Sequence, residues 1–465
     1  MACGDLPWRI FGGDSIMIGL EERQLEKGAV KDFACDIALV SVMIPYYDGS
    51  LYIREAVESV LNQTYGNIEL IVVDDGSSCR QESEYIESLS REMGFELIVH
   101  PFNTGSSRAL MDAFYASSGE YIAILSQDDT FRPEKIEKQV KEIESKGYDA
   151  VYVSGDVEYK DSGRVVKKNI DRTVRCIQSG EILEPLRVQN FPGVSIQGLL
   201  AKRCVFENDI AEIWSNYLLD DWPVNIRLFE KYNVGFMDAN LWRKGLHSDN
   251  TSWDIWKWLG PQIEVVARMA PDELKTEAIG NRVASMARRL LRQNGDHEAI
   301  VRFALAGLIL CDSAGQYKKA SRVLSKLPRK EKKAIAALKC QQIEDVCRKR
   351  EVASLPEKIE SLGWDEIGKA ISDVTISYEG NDRISEIGKL FLTLAVNLSS
   401  KNRESVASAI RFALAGMVLT DNPDGVGKVA GMLQLARGEY GEIIKDKCRL
   451  VRAKSGRSAR KIWLN

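Results

Sequence analysis

The chain has 465 residues, 45% hydrophobic and 28% charged, enough for two or three domains with proper cores. Its 63 basic and 67 acidic residues nearly balance, which excludes a global polyanion-binding signature, and no nucleic-acid partner is expected. Nine scattered cysteines without a CxxC argue against a zinc site or a disulfide framework; with no bilayer-length apolar run and no signal-peptide order at the N-terminus, the expected location is the cytoplasm.

Residues 1–37 carry Gly12-Gly13 and no readable motif, and are taken as an N-terminal leader. From Ala38 the text changes. Residues 38–44 read as a strand buried on both faces, ending in a turn at Pro45-Tyr46-Tyr47-Asp48-Gly49-Ser50. A helix follows with Ile53, Ala56, Val57, Val60 and Leu61 on one face, then a strand over 68–73 that ends in Asp74-Asp75-Gly76-Ser77. A third strand is expected over 95–100, and Asn103-Thr104-Gly105-Ser106-Ser107-Arg108 opens the next helix. That helix leads to a fourth strand, 121–125, which runs into Ser126-Gln127-Asp128-Asp129. Pro133 suits the first turn of a helix carrying Ile136, Val140 and Ile143.

Strand–helix alternation of this kind predicts a mostly parallel, Rossmann-like sheet with right-handed crossovers. Three strand ends then bring Tyr47/Asp48, Asp74/Asp75 and Asp128/Asp129 to one edge, where open α/β sheets bind ligands. No GxGxxG or GxxxxGK[ST] follows the first strand, so dinucleotide and P-loop readings lose their main support. An aromatic to stack on a base, a carboxylate to hydrogen-bond it, and acids to hold Mg²⁺ or Mn²⁺ on a diphosphate describe a nucleotide-sugar pocket.

Those motifs, with Ser59-Val60-Leu61-Asn62-Gln63-Thr64 between them, resemble the inverting family 2 glycosyltransferases of GT-A fold over residues 38–253. The resemblance implies a metal-dependent, hexosyltransferase-type enzyme that uses a nucleotide-sugar donor, with a UDP-sugar favoured. It assigns Pro45, Tyr47, Asp74, Asp75, Arg108 and Asp128 to the nucleotide: Tyr47 stacked on the base, Asp75 bonded to it, Arg108 near the phosphates. Asp128 and Asp129 match the family's metal-binding DxD region, Asp129 serving as metal ligand. Two positions depart from the family pattern: Ser126 stands where many members carry the first Asp, and Asp48 replaces the usual Asn.

Further on, residues 150–153 and 157–159, then Asp161-Ser162-Gly163-Arg164 and Val165-Val166, read as strand–turn–strand on the acceptor side. A loop at 191–198 is placed under the sugar. Asp220-Asp221-Trp222 opens a helix with Val224, Leu228 and Phe229 on its apolar side. Acids at a helix start are ordinary dipole complements; the resemblance makes Asp221 the catalytic base and Asp220 its neighbour. Residues 241–252 resemble the loop that closes the family's site, with His247 offered to the metal or the diphosphate.

Beyond Ser252 helix formers take over, and residues 254–465 are expected to form an α-helical repeat domain with a basic C-terminal tail. The run Ile300-Val301-Arg302-Phe303-Ala304-Leu305-Ala306-Gly307 recurs as Ala409-Ile410-Arg411-Phe412-Ala413-Leu414-Ala415-Gly416, an offset of 109 (411 − 302). A preceding helix is expected to begin near Ile279-Gly280 and again near Ile387-Gly388, giving stacked helical pairs. Eight Lys/Arg against one Glu at 318–333, and eight against one Asp at 445–461, are solvated faces or a peripheral contact with the inner face of a membrane.

The sequence therefore points to sugar transfer onto a hydroxyl of a glycan, lipid-linked glycan or protein acceptor. The competing reading is a non-catalytic nucleotide-sugar-binding scaffold whose helical repeats recruit partners; intact Asp75, Asp129 and Asp221 speak against it. A nucleotidyltransferase would want a Gly-rich loop after the first strand, which is absent.

Overall fold

The computed structural model describes residues 9–11, 37–167, 170–188, 194–248, 250, 254–311, 322–348, 362–399, 403–420 and 449. The leader beyond its strand at 9–11, the tail cluster apart from residue 449, Trp253 and the stretch 191–193 lie outside them. The chain divides into two compact units, Met1–Asn250 and Thr251–Asn465.

The first unit is built on one mixed sheet. Its strands are β1 (Arg9–Phe11), β2 (Val40–Tyr46), β3 (Ile68–Asp74), β4 (Glu96–Val99), β5 (Tyr121–Ile124), β6 (Thr130–Phe131), β7 (Ala150–Tyr159), β8 (Arg164–Lys167), β9 (Leu199–Lys202) and β10 (Val234–Leu246). They lie in the order β1-β4-β3-β2-β5-β9-β7-β10-β6, with β8 on β7. Between the strands run α1 (Ile53–Leu61), α2 (Arg80–Met93), α3 (Ser106–Ala116), α4 (Lys135–Lys146), α5 (Asp171–Gln178), α6 (Leu183–Val188), α7 (Ala211–Asn216) and α8 (Trp222–Lys231). Strands β4, β3, β2 and β5 are mutually parallel, as are β7 and β10, and the short antiparallel β9 joins the two sets.

The inner strands form where apolar runs are longest. Val40, Val42, Ile44, Val72 and Ala123 pack with Ile53, Val57 and Val60 of α1 and Ile86 and Leu89 of α2 in one core. Pro45 falls inside β2 rather than in the turn after it. It is tolerated because Met43, two residues earlier, still pairs towards β5 while β5 ends at Ile124, so no ladder partner faces the missing N–H. Two further expectations are corrected. Residues 150–159 form one strand instead of two, since β10 supports them along the full length. Residues 241–246, expected as a loop, are the last part of β10, where Trp242 and Arg243 also pair with β6.

In the second unit lie α9 (Leu259–Met269), α10 (Asp272–Arg292), α11 (His297–Leu310), α12 (Arg329–Arg348), α13 (Trp364–Ser377), α14 (Gly380–Ser399) and α15 (Arg403–Leu419). The repeat is larger than a hairpin: α9-α10-α11 corresponds to α13-α14-α15. Its long helices begin at Asp272 and Gly380, so Ile279-Gly280 and Ile387-Gly388 lie mid-helix. The expected pairs are present, α10 on α11 and α14 on α15, and the two copies also meet through matching helices. Each outer helix packs against its own counterpart, α9 on α13 and α11 on α15, as in an isologous dimer. Glycines allow the closest approaches: a Cβ on Gly368 would lie 2.4 Å from Glu264 Cα, and one on Gly260 2.5 Å from Ser372 N. Among the described residues no helix is long and apolar enough to cross a membrane.

Candidate active site

The carboxyl ends of β2, β3 and β5 meet at the sheet edge. Tyr47 stands just beyond β2 with 39% of its surface exposed. Its backbone is held by Gln127: Tyr47 N–H donates to Gln127 Oε1 (2.8 Å) and Gln127 Nε2 donates to Tyr47 O (3.0 Å). That bridge ties the base end of the site to the loop that carries Asp128, and the sequence reading passed over Gln127. Asp48 adopts φ 46°, a left-handed conformation in which Asp and Asn are the common non-glycine residues, so the Asp-for-Asn departure preserves the turn. Its N–H donates to Ser77 Oγ and its carboxylate accepts from Ser78 N–H.

Asp74 is fully buried; Ser77 donates to its Oδ1 from both N–H (3.0 Å) and Oγ (2.7 Å). Burial pushes its carboxyl above the usual range. Gly76, at φ 66°, lets the turn pass against the backbone of Phe102, where a Cβ would lie 2.3 Å from Phe102 C. Asp75 is 3% exposed, and its oxygens accept from Thr104 N–H (2.8 Å), Thr104 Oγ1 (2.6 Å) and Gly105 N–H (2.7 Å). His100 Nδ1 lies 2.9 Å from Asp75 Oδ1. Asp75 thus fastens the entrance of α3 to the end of β3. Arg108, in the first turn of α3, pairs through Nε with Asp112 Oδ2 at 2.8 Å and keeps 41% of its side chain exposed.

At the end of β5, Ser126 accepts from Gln197 Nε2 (2.6 Å), which brings the loop placed under the sugar against the acidic motif. The two acids after it point to different duties. Asp128 Oδ2 lies 3.3 Å from His247 Nε2 and accepts from Asn250 Nδ2 at 2.5 Å. Asn250 Oδ1 in turn accepts from His247 N–H, and the Tyr52 ring stacks on the imidazole with centroids 4.0 Å apart. Asp129 is 2% exposed, and its Oδ1 accepts from Gly245 N–H at 2.8 Å. Gly245 permits this contact, since a Cβ there would lie 2.1 Å from Asp128 O. Of the residues expected at a metal, His247 meets Asp128, while Asp129 takes the Gly245 N–H of β10, a stretch read from the sequence as loop. Among the described residues no group of three or more His, Cys, Asp or Glu could hold a metal ion by itself.

The acidic pair completes the site. Asp221 caps α8, its Oδ1 accepting from Trp222 N–H at 2.5 Å, and its charge is felt by the buried Tyr152 of β7. Asp220 takes a hydrogen bond from Ser106 at the start of α3 and lies in the field of Lys244 on β10. Burial, then the neighbouring Asp221, push its carboxyl up to about 6. Ser106 joins this pair to the loop fixed by Asp75, and Lys244 joins it to the strand that holds Asp129 and ends before His247.

A glycosyl transferase family 2 model matches residues 41–197. An uncharacterized glycosyltransferase of Rickettsia felis is 44% identical over 103 residues, covering 22% of this chain and 17% of that protein. Glycosyltransferase GlyG of Streptococcus pneumoniae is 34% identical over 114 residues, covering 24% of this chain and 38% of that protein. The chain thus spans well under half the length of these curated relatives. Among solved structures, S. aureus TarS 1-349 in complex with UDP is 15% identical with a TM-score of 0.40, covering 62% of this chain and 82% of that one. The mannosyltransferase PcManGT from Pyrobaculum calidifontis, in complex with GDP-Man and Mn²⁺, is 15% identical with a TM-score of 0.37, covering 64% and 84%. Residues 41–197, inside the mixed α/β domain, thus match the glycosyl transferase family 2 model, and an α-helical unit follows them in this chain.

Proposed function

We propose that the chain is an inverting glycosyltransferase that moves a hexose from a nucleotide-sugar, UDP-linked by preference, to a hydroxyl of a glycan, lipid-linked glycan or protein. The observation that carries this reading is the meeting of exposed Tyr47, buried Asp75, and Asp128 at neighbouring strand ends, with Asp220 bonded by Ser106 at the start of the helix that Asp75 fastens. Tyr47 offers a ring face to the base, and the loop held by Asp75 shapes the rest of that end. Arg108 meets the diphosphate. Asp221 accepts the acceptor proton as its oxygen attacks the anomeric carbon in line, a contribution of typically 10²–10⁴-fold.

Asp128 and His247 fit two positions of a divalent-metal shell: one carboxylate oxygen and one imidazole nitrogen 3.3 Å apart, with the diphosphate and water left to supply the rest. Mn²⁺ or Mg²⁺ held there would offset charge developing on the leaving diphosphate. In this reading Asp129 holds β10 against the acidic loop and supports the metal site from behind.

The test is a panel of NDP-sugars assayed for hydrolysis and transfer with Mn²⁺, Mg²⁺ or excess chelator, using wild type, Asp128→Asn and Asp221→Asn. UDP is expected to outcompete GDP and ADP. Asp128→Asn should lose metal-dependent donor binding. Asp221→Asn should bind donor nearly normally and lose transfer by roughly 10² or more. Undiminished turnover in chelator would remove the metal, and a product of retained configuration would remove the single displacement. Nucleotide-sugar binding with no turnover on any donor would favour the scaffold reading.

A further inference from the structure

A buried histidine joins the two ends of the nucleotide site. His100, at the end of β4, is 2% exposed. Its Nδ1 lies 2.9 Å from Asp75 Oδ1 and 3.1 Å from Thr104 Oγ1, and its Nε2 lies 3.2 Å from Asp112 Oδ2. The same Asp112 oxygen receives Arg108 Nε at 2.8 Å. Asp75, His100, Asp112 and Arg108 form an alternating acid–base row that starts at the base-binding end and finishes on a half-exposed guanidinium.

We propose that His100 and Asp112 are positioning residues for the donor: His100 locks Asp112 to the fixed loop of Asp75, and Asp112 aims Arg108 at the diphosphate. The inference rests on the reading of Arg108 as a diphosphate contact. Three observations support it. Arg108 alone would be a flexible surface side chain, and ordering it on binding costs rotamer entropy that a pre-formed Nε–carboxylate bond removes. The groups facing His100 are Asp75 and Thr104 on one side and Asp112 on the other; against the downward pull of burial, Asp112 and Asp75 hold the imidazole up at about 9, charged at neutral pH. Finally, a buried ion row is a poor device for stability, since apolar groups of the same volume often serve as well or better. Its use here is to fix a direction.

The proposal separates phosphate recognition from base recognition, so two probes read it: UDP and uridine, with GDP and guanosine as a second pair, titrated against the full chain. Asp112→Asn should weaken UDP about tenfold, the worth of one hydrogen bond to a charged group, and change uridine less than about twofold. Asp112→Glu, which restores the acid, should recover part of the loss. Arg108→Ala should match Asp112→Asn, and the double variant should be no worse than either, because both remove one interaction. His100→Gln should show the same diphosphate loss with an added loss on uridine through Asp75. The inference is overturned if Asp112→Asn binds UDP like wild type while Arg108→Ala does not, or if it weakens uridine as much as UDP. If Arg108→Ala itself leaves UDP affinity unchanged, the diphosphate reading of Arg108 falls, and this inference with it. A thermal melt of each variant checks that the fold is intact.

Discussion

Single residues in this site differ in what they are free to do. Asp75 has both oxygens engaged by backbone and hydroxyl donors, Asp74 and Asp129 each accept such a donor at Oδ1, and these acids shape loops. Asp128 meets His247 and Asn250, and Asp220 takes a hydrogen bond from Ser106. The Asp220/Asp221 pair has a direct consequence for pH. With Asp220 raised to about 6 by burial and by Asp221, the pair takes up a proton as pH falls through that value, and a protonated pair is a poor base. Transfer should therefore fall on the acid side with an apparent midpoint near 6, and Asp220→Asn, which removes the like charge, should move that limb to lower pH. The sign for stability is opposite to that of an ordinary salt-bridged carboxylate. The folded state holds the proton more tightly than the unfolded chain, so stability falls as pH rises from about 4 to about 6. Denaturant melts at pH 4, 5 and 6 should show this fall in wild type and lose most of it in Asp220→Asn. A limb unmoved in the variant would show that the two acids do not share the proton.

At the scale of elements, the inner strands were legible because parallel strands buried on both faces read as unbroken apolar runs, and their ends mark the site. The other half of the sheet was not. β9 has four residues and owes its place to its neighbours, while the polar Arg243 and Lys244 disguise β10 as loop although β7 and β6 hold it on both sides. The duty of Asp129 could not be read while β10 was taken for loop. His100 and Asp112 are twelve residues apart and meet only because α3 docks on β3, a relation with no local signal. Lys135 is the plainest case: nothing in the sequence around it signals burial, yet it is fully buried, donating to Leu199 O (3.3 Å) above the Phe131 ring. In the helical unit the repeat was visible, but sequence identity between copies does not say which faces meet. The observed pairing of α9 with α13 makes a sharp demand on Gly368, whose missing Cβ lets Glu264's backbone pass. Gly368→Ala should destabilise the second unit by about 1–3 kcal/mol through overpacking. Substitution at the exposed Ile376 on the same helix should change little. Equal melts for Gly368→Ala and wild type would show that α9 and α13 do not cross as described.

For the whole molecule, the question is what the second unit adds. The residues assembled into the candidate site, from Pro45 to Asn250, all belong to the first unit, whose strands and helices share one core. The second unit has its own core, drawn from both copies of the repeat, in which Arg302 is fully buried and donates to Val418 O (3.3 Å) at the end of the counterpart helix. The described part of the basic run, Arg322 to Lys333, lies largely exposed. This division argues that chemistry on the donor and recruitment of the acceptor are separable. A chain ending at residue 258 should keep the UDP affinity and slow donor hydrolysis of the full chain within about twofold, since water can replace the acceptor. It should lose transfer to the native acceptor, and charge reversal at Arg329, Lys330 and Lys333 in the full chain should weaken transfer through KM while leaving hydrolysis unchanged. Loss of UDP binding by the shortened, folded chain would show that the second unit supports the donor site. Full transfer by it would show that the helices recruit nothing.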